Sequence, residues 1–362
     1  MVRSGLPDPR GRLSEITGCT ARQHPPSIVR TLKVAAAGNL FGATLFLMIW
    51  LPMTTPRDIY EPRSTQQART KWLLRWMLRL LFRGLIRPPL PIWLQRIIMR
   101  LLTMVTHAPD GVIRGQQNIQ GVPCEWQHAA NANGRVMLYL HGGAFILGSP
   151  ATHRAITAGL AAAAGMSVCV PDYRLAPEHP YPAAPDDCLA VYRGLLEMGY
   201  AAAQISLAGD SAGGNLALVT ALRIRDQGLP MPAALVCFSP VTDFSAQAVH
   251  APPAGDPLIS LAWMQLAREA YCPAPLDLHM PGVSPLNAEL GGLPPVLLQV
   301  GEDEVLRDDS LRFAERARAA GVEVQLQRYE GLWHVFQAHA GMLKVADLAL
   351  ERAVSFLREQ AK

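Results

Sequence analysis

One short stretch in the second half of the chain constrains the fold more than any other. The apolar residues 205–208 lead into Gly209-Asp210-Ser211-Ala212-Gly213, and apolar residues then recur at helical spacing as far as Leu222. This pattern predicts a buried strand, a sharp turn and a helix. In that setting G-x-S-x-G forms a nucleophile elbow, because its glycines leave room for a strained turn that presents the serine hydroxyl at the carboxyl end of the strand.

Ser211 is therefore the candidate nucleophile. It stands at a predicted helix N-terminus, where free backbone N–H groups and the helix dipole favour negative charge. That environment suits the oxyanion that forms during acyl transfer. The alternative interpretation is an ordinary small-residue turn between a strand and a helix, since G-x-S-x-G also arises by chance.

Length and charge bound the organisation of the chain. Its 362 residues, of which 50% are hydrophobic and 17% charged, suffice for one large α/β domain and an accessory region. The net charge of +4 hides an asymmetry: residues 1–105 carry 16 Lys and Arg against 4 Asp and Glu, which leaves the remainder acidic. Such a basic segment suits an anionic partner, but no aromatic-basic nucleic-acid module is present, so we expect no nucleic-acid partner.

The cysteines indicate the compartment. They are scattered, without a C-x-x-C pair and without histidines at metal-binding spacing, so we expect neither a metal site nor a disulfide framework. We expect reduced and mostly buried thiols, typical of a cytoplasmic protein, with membrane association left open. The cysteines are Cys19, Cys124, Cys169, Cys188, Cys237 and Cys272.

The first 53 residues predict a tail followed by an apolar segment. Residues 1–33 are rich in Pro, Arg and Ser and lack periodicity, which indicates a flexible tail. Residues 34–53 contain no charge and are just long enough to span a bilayer. Two interpretations stay open: a membrane anchor, or a segment upstream of a translation start at Met48 or Met53.

Residues 54–105 predict an N-terminal helical cap. Arginines at 75, 79, 83 and 87 recur at every fourth position among apolar residues over 69–87, which predicts an amphipathic cationic helix, and a second helix follows Pro91. We expect the pair to pack over the catalytic domain with the arginines in water. The alternative is that residues 34–53 and 69–105 contact a membrane surface. A homodimer is a further open alternative.

A glycine-rich turn predicts the oxyanion donors. The apolar strand 136–140 ends in His141-Gly142-Gly143-Ala144-Phe145, and glycine there lets the backbone approach a substrate oxygen. We assign the oxyanion hole to the N–H groups of Gly142, Gly143 and Ala212. His141 suits a hydrogen bond that stabilises the loop better than a role as a base.

The chain resembles the hormone-sensitive lipase family of carboxylesterases in three motifs and in their order along the sequence. The motifs are residues 141–145, 172–184 and 209–214. The resemblance covers residue 105 to the C-terminus. It implies an α/β-hydrolase fold, with a mostly parallel central sheet flanked by helices and a helical cap, and ester hydrolysis without a cofactor. Ala144 departs from the third glycine of many members, which bears on how bulky an alcohol group fits. Residues 172–184 we expect to be structural.

The catalytic domain is predicted over 106–362, and residues 241–293, rich in Pro, Ala and Met, predict an insertion that contributes to the cap. The triad acid should follow the strand that ends near Val300, since these hydrolases run Ser, acid, His along the chain. Glu304-Val305-Leu306-Arg307-Asp308 fits the family pattern of an acid, then Leu two and Asp four residues later. Asp303, one residue out of register, is the alternative.

His334 is the predicted base, because it follows the last predicted strand, at 322–329, and precedes a C-terminal helix near 343–359. His339 is its rival. Together these residues predict a hydrolase for short- to medium-chain acyl esters of small molecules, with a catalytic triad of Ser211, Glu304 and His334. The alternatives are a membrane-associated lipase and a non-catalytic small-molecule receptor of the same fold.

Overall fold

The structure is a computed structural model that describes residues 58–103, 111–245 and 249–361. Nine strands form one sheet in the order β1-β9-β8-β7-β6-β4-β5-β3-β2, and all neighbours pair in parallel except β2 with β3 and β3 with β5. The predicted α/β-hydrolase architecture, a mostly parallel sheet flanked by helices, is confirmed. The strands are β1 Ile59–Glu61, β2 Val112–Ile119, β3 Val122–Ala129, β4 Val136–Leu140, β5 Ser167–Pro171, β6 Ile205–Asp210, β7 Ala234–Phe238, β8 Val296–Gly301 and β9 Val324–Tyr329.

Eight α-helices cover the sheet and its carboxyl edge within the described residues. Strands β4 to β8 are buried along their whole length, which explains their nearly continuous apolar sequences, because both faces of a parallel sheet carry helices. On β4, Leu138 and Leu140 join one core cluster and Met137 and Tyr139 the other. The helices are α1 Ala68–Leu80, α2 Ile92–Thr103, α3 Arg154–Ala164, α4 Ala183–Glu197, α5 Ala212–Asp226, α6 Leu261–Tyr271, α7 Arg307–Ala319 and α8 Lys344–Glu359.

The parallel arrangement gathers four loops at one edge of the sheet. Strands β6, β7, β8 and β9 are consecutive neighbours, and the chain leaves each of them at the same side. Ser211 follows β6, Ser239 follows β7, Glu304 follows β8 and His334 follows β9. Residues far apart in sequence therefore lie at one carboxyl edge, where ligands bind in folds of this kind.

The N-terminal region contains more than the predicted helices. Residues Ile59–Glu61 add a parallel edge strand to β9, which no sequence pattern indicated because three residues carry no periodicity. The helix predicted over 69–87 is α-helical over Ala68–Leu80 and continues as a π-helical turn over Leu81–Leu85. Leu74 of α1 is buried against the aromatic cluster that follows β9.

The expectation that the arginines of α1 lie in water is wrong for Arg75, which is largely buried, whereas Arg79, Arg83 and Arg87 are exposed. Arg75 pairs with Asp303, Arg79 donates to the carbonyl of Ala254, and Arg83 donates to the carbonyls of Asp256 and Ile259. Arg87 has no such partner among the described residues. Three of the four arginines therefore bond to the protein, although Arg79 and Arg83 remain exposed to solvent.

The remaining predictions have mixed outcomes. Between β7 and β8, residues 241–293 contain α6 and a short 3₁₀ turn, Pro285–Asn287. The five cysteines within the described residues are buried and unpaired, and Cys19 lies outside them. The predicted tail and apolar segment, residues 1–53, also lie outside the described residues. Across residues 58–103, 111–245 and 249–361, no helix is both long and apolar enough to cross a bilayer.

Candidate active site

Ser211 lies at a strained turn between β6 and α5. Its backbone has φ 54° and ψ −119°, a conformation that an L-residue adopts only when its surroundings impose it. The turn is held by the Ser211 N–H, which donates to the Phe238 carbonyl at 2.8 Å. A Cβ at Gly209 or Gly213 would overlap backbone atoms of the neighbouring turn, so both positions require glycine.

Glu304 and His334 face each other at the same edge. Glu304 Oε1 lies 3.8 Å from His334 Nδ1, and both side chains are buried. The other carboxylate oxygen of Glu304 accepts from the Ser239 hydroxyl at 2.8 Å and from the Gly301 N–H at 3.3 Å. Because Nδ1 is turned towards Glu304, Nε2 is the ring nitrogen left for a proton transfer on the opposite side.

The segment after β7 connects this pair to Ser211. The Val241 N–H donates to the Ser211 carbonyl at 3.2 Å, while the Ser239 hydroxyl accepts from the N–H of Val335 at 3.3 Å. Within the described residues, no hydrogen bond joins the Ser211 hydroxyl to the His334 ring. The three predicted residues thus lie at the same edge of the sheet, with the serine–histidine contact not made in this conformation.

The burial of the pair controls its ionisation. Burial raises the pKa of the Glu304 carboxyl, against the opposing effects of His334 and of the Ser239 hydrogen bond, so the net shift is upward. For His334, burial lowers the pKa, but the neighbouring Glu304 carboxylate raises it more, and the net shift is also upward. A carboxylate in this position favours the imidazolium form, as the acid of a serine-hydrolase triad does.

The two alternatives left open by the sequence have other roles. Asp303 Oδ2 lies 2.8 Å from Arg75 Nη1, so the carboxylate adjacent to Glu304 is paired with the N-terminal helix rather than with a histidine. His339 Nδ1 lies 3.3 Å from the carbonyl of Phe336 in its own turn, and its ring packs edge-on against Trp333. Neither residue faces Ser211 or His334 in these contacts.

The prediction for Gly142 requires a correction. Its N–H donates to Asp210 Oδ1 at 3.0 Å, and the residue is buried, so this N–H is not free to bind a substrate oxygen. The N–H groups of Gly143, Ala144 and Ala212 have no acceptor among the described residues, and Gly143 and Ala144 are partly exposed. The donors available in this loop are therefore one residue later than predicted.

The Asp210 carboxylate accepts a hydrogen bond from the backbone of the glycine-rich turn and so fixes its position, a role that the sequence did not lead us to predict. Asp210 Oδ1 accepts from the Tyr139 hydroxyl at 2.7 Å as well as from Gly142, and Oδ2 lies 3.5 Å from His153 Nε2. Burial alone would raise the pKa of this carboxyl, but the charge of His153 and the hydrogen bonds to the carboxylate lower it by more. The net shift of the pKa is downward, so the group stays ionised. The sequence signal for this role was the position of Asp210 directly before Ser211. The Asp210 side chain is buried in the fold.

His141 has the structural role expected of it. Its ring is buried between Tyr173 at 4.2 Å and His153 at 5.3 Å, and its Nδ1 lies 2.9 Å from the Gly142 carbonyl. Burial, together with the charge of His153, lowers the pKa of His141 to about 3, so the ring stays neutral. A permanently neutral ring packed under the turn is not a general base for Ser211.

A cleft of about 680 Å³ opens at Ser211. This size is typical of small-molecule sites. Its wall combines the glycine-rich turn, the N-terminal helical region and the segment between β7 and β8, and it includes Ala144, Phe145, Arg83, Phe244, Trp263 and Met264. The part of the chain that the structure describes contains no group of three or more His, Cys, Asp or Glu side chains arranged to hold a metal ion.

Comparisons with known proteins agree with this fold. A family model described as an alpha/beta hydrolase fold matches residues 137–338. An acetyl-hydrolase of Streptomyces hygroscopicus is 42% identical over 236 residues, which cover 65% of this chain and 79% of that protein. An esterase of Acinetobacter venetianus is 40% identical over 240 residues, covering 66% of this chain and 79% of that one.

A solved structure narrows the class. An esterase of the bacterial hormone-sensitive lipase family superposes with a TM-score of 0.76 and 36% identity, over 83% of this chain and all of that chain. The fold and site thus define an α/β-hydrolase. Within that class, this chain belongs to the hormone-sensitive lipase family, as the three motifs indicated, and it is a carboxylic ester hydrolase.

Proposed function

We propose that this enzyme hydrolyses short- to medium-chain acyl esters through a triad of Ser211, His334 and Glu304. The single observation that carries the proposal is the buried Glu304–His334 pair, 3.8 Å apart, at the same edge of the sheet as the strained turn of Ser211. A buried carboxylate that faces one nitrogen of an imidazole near a serine at an elbow is the arrangement used for acyl transfer.

The reaction proceeds in two steps. The Ser211 hydroxyl attacks the ester carbonyl while His334 Nε2 takes its proton, and Glu304 stabilises the resulting imidazolium. The tetrahedral intermediate collapses when His334 donates that proton to the alcohol oxygen, which leaves an acyl-serine. Water then attacks the acyl carbon while His334 takes a proton from it. The bond between the acyl carbon and Ser211 Oγ breaks as His334 returns that proton to Oγ, which releases the acid and restores Ser211.

Backbone donors stabilise the oxyanion in both steps. Ala212 is the first residue of α5, so its N–H has no helical partner and also benefits from the helix dipole. Gly143 and Ala144 carry the other two unpaired N–H groups beside the cleft. Each such donor is worth about 10²–10³ in rate in characterised hydrolases. In this proposal Ala144 takes the place that the sequence alone gave to Gly142.

The lining and the size of the cleft support substrates with short- to medium-chain acyl groups. Aromatic and aliphatic side chains line most of it, including Phe145, Phe244, Trp263 and Met264, so an acyl chain is desolvated there. Its volume of about 680 Å³ accommodates a short or medium chain together with an alcohol group. The name of the Streptomyces relative, an acetyl-hydrolase, is consistent with short acyl groups.

The test combines turnover with active-site labelling. We expect the wild type to hydrolyse p-nitrophenyl butyrate and to be labelled by a fluorophosphonate on the peptide that contains Ser211. Ser211→Ala should fold, as judged by circular dichroism, yet lose both signals. Ser355→Ala, an exposed serine of α8, is the control and should keep both. Labelling at another serine, or full turnover by Ser211→Ala, would overturn the proposal. Ligand binding without turnover by the wild type would favour the receptor alternative.

A further inference from the structure

The exposed large apolar side chains of this protein are concentrated on the two N-terminal helices. Of the fifteen found in the described residues, ten lie between residues 72 and 102. We call them the exposed apolar face, and its most prominent members are Trp72, Trp76, Leu80, Trp93 and Leu101. Trp72 is 65% exposed and Trp76 56%. Apolar patches of this kind on a soluble domain mark interaction surfaces.

Helix α1 has the opposite orientation to an ordinary surface helix. Such a helix buries its apolar stripe and exposes its charges. Here the guanidinium groups of Arg75, Arg79 and Arg83 are bonded to protein acceptors, while Trp72 and Trp76 point outward. The tryptophans are therefore not needed to hold the helix on the domain, because Leu74 and the arginines do so.

The charge of this region is of one sign. Residues 68–103 contain eight Lys and Arg and no Asp or Glu. Only two of these cations pair with a carboxylate, Arg75 with Asp303 and Arg96 with Glu178. Arg69 and Arg87 have no hydrogen-bond or ion-pair partner among the described residues, while Arg100 has no carboxylate within ion-pair distance there and interacts with Asp172 from further away. Tryptophan beside unpaired arginine is typical of segments that lie in the interface of an anionic membrane.

Both helices border the active-site cleft. Arg83, beyond the end of α1, lines the cleft and donates to the Ile259 carbonyl just before α6. Gln95 of α2 accepts from the Trp263 indole of α6 at 3.1 Å, and Trp263 also lines the cleft. Leu261, at the start of α6, is itself 65% exposed. A surface that contacted both helices would therefore meet the cleft wall.

We propose that the exposed apolar face of α1 and α2 docks on an anionic lipid surface. A second copy of the chain fits less well, because it would bring the cations of one exposed face that no carboxylate neutralises against those of the other. The uncharged segment 34–53 fits less well also, since it would neutralise none of them. The inference goes beyond ester hydrolysis and does not depend on the triad.

Vesicle flotation of the full-length protein tests the proposal. Two vesicle types are compared, phosphatidylcholine alone and phosphatidylcholine mixed with phosphatidylglycerol. We expect binding to the anionic vesicles that weakens with added salt, and much weaker binding to the neutral ones. The variant Trp72→Ser/Trp76→Ser should bind the anionic vesicles at least about tenfold more weakly, because two large apolar side chains are removed from the contact.

The control variant is Ile113→Ser/Met198→Ser. It removes two exposed large apolar side chains that are not part of the exposed apolar face, one near the start of β2 and one after α4, and should bind like the wild type. Hydrolysis of soluble p-nitrophenyl butyrate should be the same in all three proteins, which shows that they are folded. If the wild type binds vesicles but hydrolyses no ester, the proposed function fails and the docking inference stands.

Three results would overturn the inference. The first is absence of wild-type binding to anionic vesicles. The second is unchanged binding by Trp72→Ser/Trp76→Ser, which would place the lipid contact elsewhere, for example in residues 34–53. The third is a wild-type dimer, detected by light scattering, that the tryptophan variant converts to a monomer while neither protein binds vesicles, which would assign the face to a second copy of the chain.

Discussion

Arg75 and Asp303 form a largely buried ion pair, 2.8 Å between Nη1 and Oδ2, that ties the N-terminal helix α1 to the loop after β8. The next residue in that loop is Glu304, whose carboxylate points to His334 instead. These two adjacent acidic residues thus have different partners: Asp303 pairs with the N-terminal helix, and Glu304 faces His334.

Substitution of the two acids should separate catalysis from structure. Glu304→Gln keeps the shape of the side chain but removes the charge that stabilises the His334 imidazolium, so we expect kcat for p-nitrophenyl butyrate to fall by about 10³–10⁴. Asp303→Asn removes only the partner of Arg75 and should change kcat by less than about tenfold. Steady-state kinetics of both variants give the answer. An equal loss in Asp303→Asn would contradict the assignment of Glu304.

The position of Glu304 and His334 at one edge of the sheet could be predicted from the sequence, because each follows a parallel strand and the order Ser, acid, His indicates which strand ends converge. Gly142 could not be assigned correctly in that way. Its N–H is committed to Asp210, and only the direction of the Asp210 side chain reveals this. A motif locates the turn, but the partner of each N–H depends on contacts from β6.

The orientation of α1 was unpredictable for a related reason. Periodicity shows that arginines and apolar residues occupy different faces, but not which face meets the protein. The orientation of the helix depends on acceptors that are distant in sequence. They are the Asp303 carboxylate and carbonyl groups between residues 254 and 259. The short strand β1 escaped prediction because its pairing with β9 is its only signal.

The pH dependence of kcat/KM should follow His334, which must be neutral to accept the Ser211 proton. Burial lowers its pKa, but the Glu304 carboxylate, with smaller contributions from Asp256 and Asp210, raises it above the ordinary histidine value, so activity should fall on the acid side as pH drops through that raised pKa. Removing the carboxylate in Glu304→Gln leaves burial to lower the pKa. The acid limb of the variant should therefore shift to lower pH.

Full pH profiles of kcat/KM for the wild type and Glu304→Gln measure this shift, each normalised to its own plateau. Asp303→Asn is the control and should keep the wild-type limb. A shift of the Glu304→Gln limb to higher pH would mean that the carboxylate does not act on His334.

The Asp210 carboxylate should position the oxyanion turn. Asp210→Asn can keep Oδ1 as the acceptor for Tyr139 and Gly142, but those bonds lose their charge assistance and an amide NH2 replaces the oxygen that faces His153, so the turn is held less firmly. We expect kcat to fall by about tenfold to a hundredfold, since small displacements of a donor are costly, with KM nearly unchanged. Tyr139→Phe, which leaves the Gly142 bond in place, should cost about 1 kcal/mol of stability and less activity.

A kcat and KM determination on both variants, with urea unfolding, separates positioning from general destabilisation. If Asp210→Asn lowered stability but retained wild-type kcat, the network would be structural only. Gly142→Ala gives an independent check, because its Cβ would overlap the Asp210 carboxylate and should disrupt the turn.

The ion pair between Arg75 and Asp303 should contribute measurably to stability. Asp303 is nearly buried, so Arg75→Gln leaves its charge without its close partner, although Arg63 at 3.9 Å still offsets part of it. The loss in the free energy of unfolding should therefore be about 2 kcal/mol, between the values for breaking an exposed ion pair and a fully buried one. The double variant Arg75→Gln/Asp303→Asn should recover much of this loss, because no unpaired charge remains. Urea unfolding of the two single variants and the double variant completes the cycle, and strictly additive losses would show that the two side chains are not coupled.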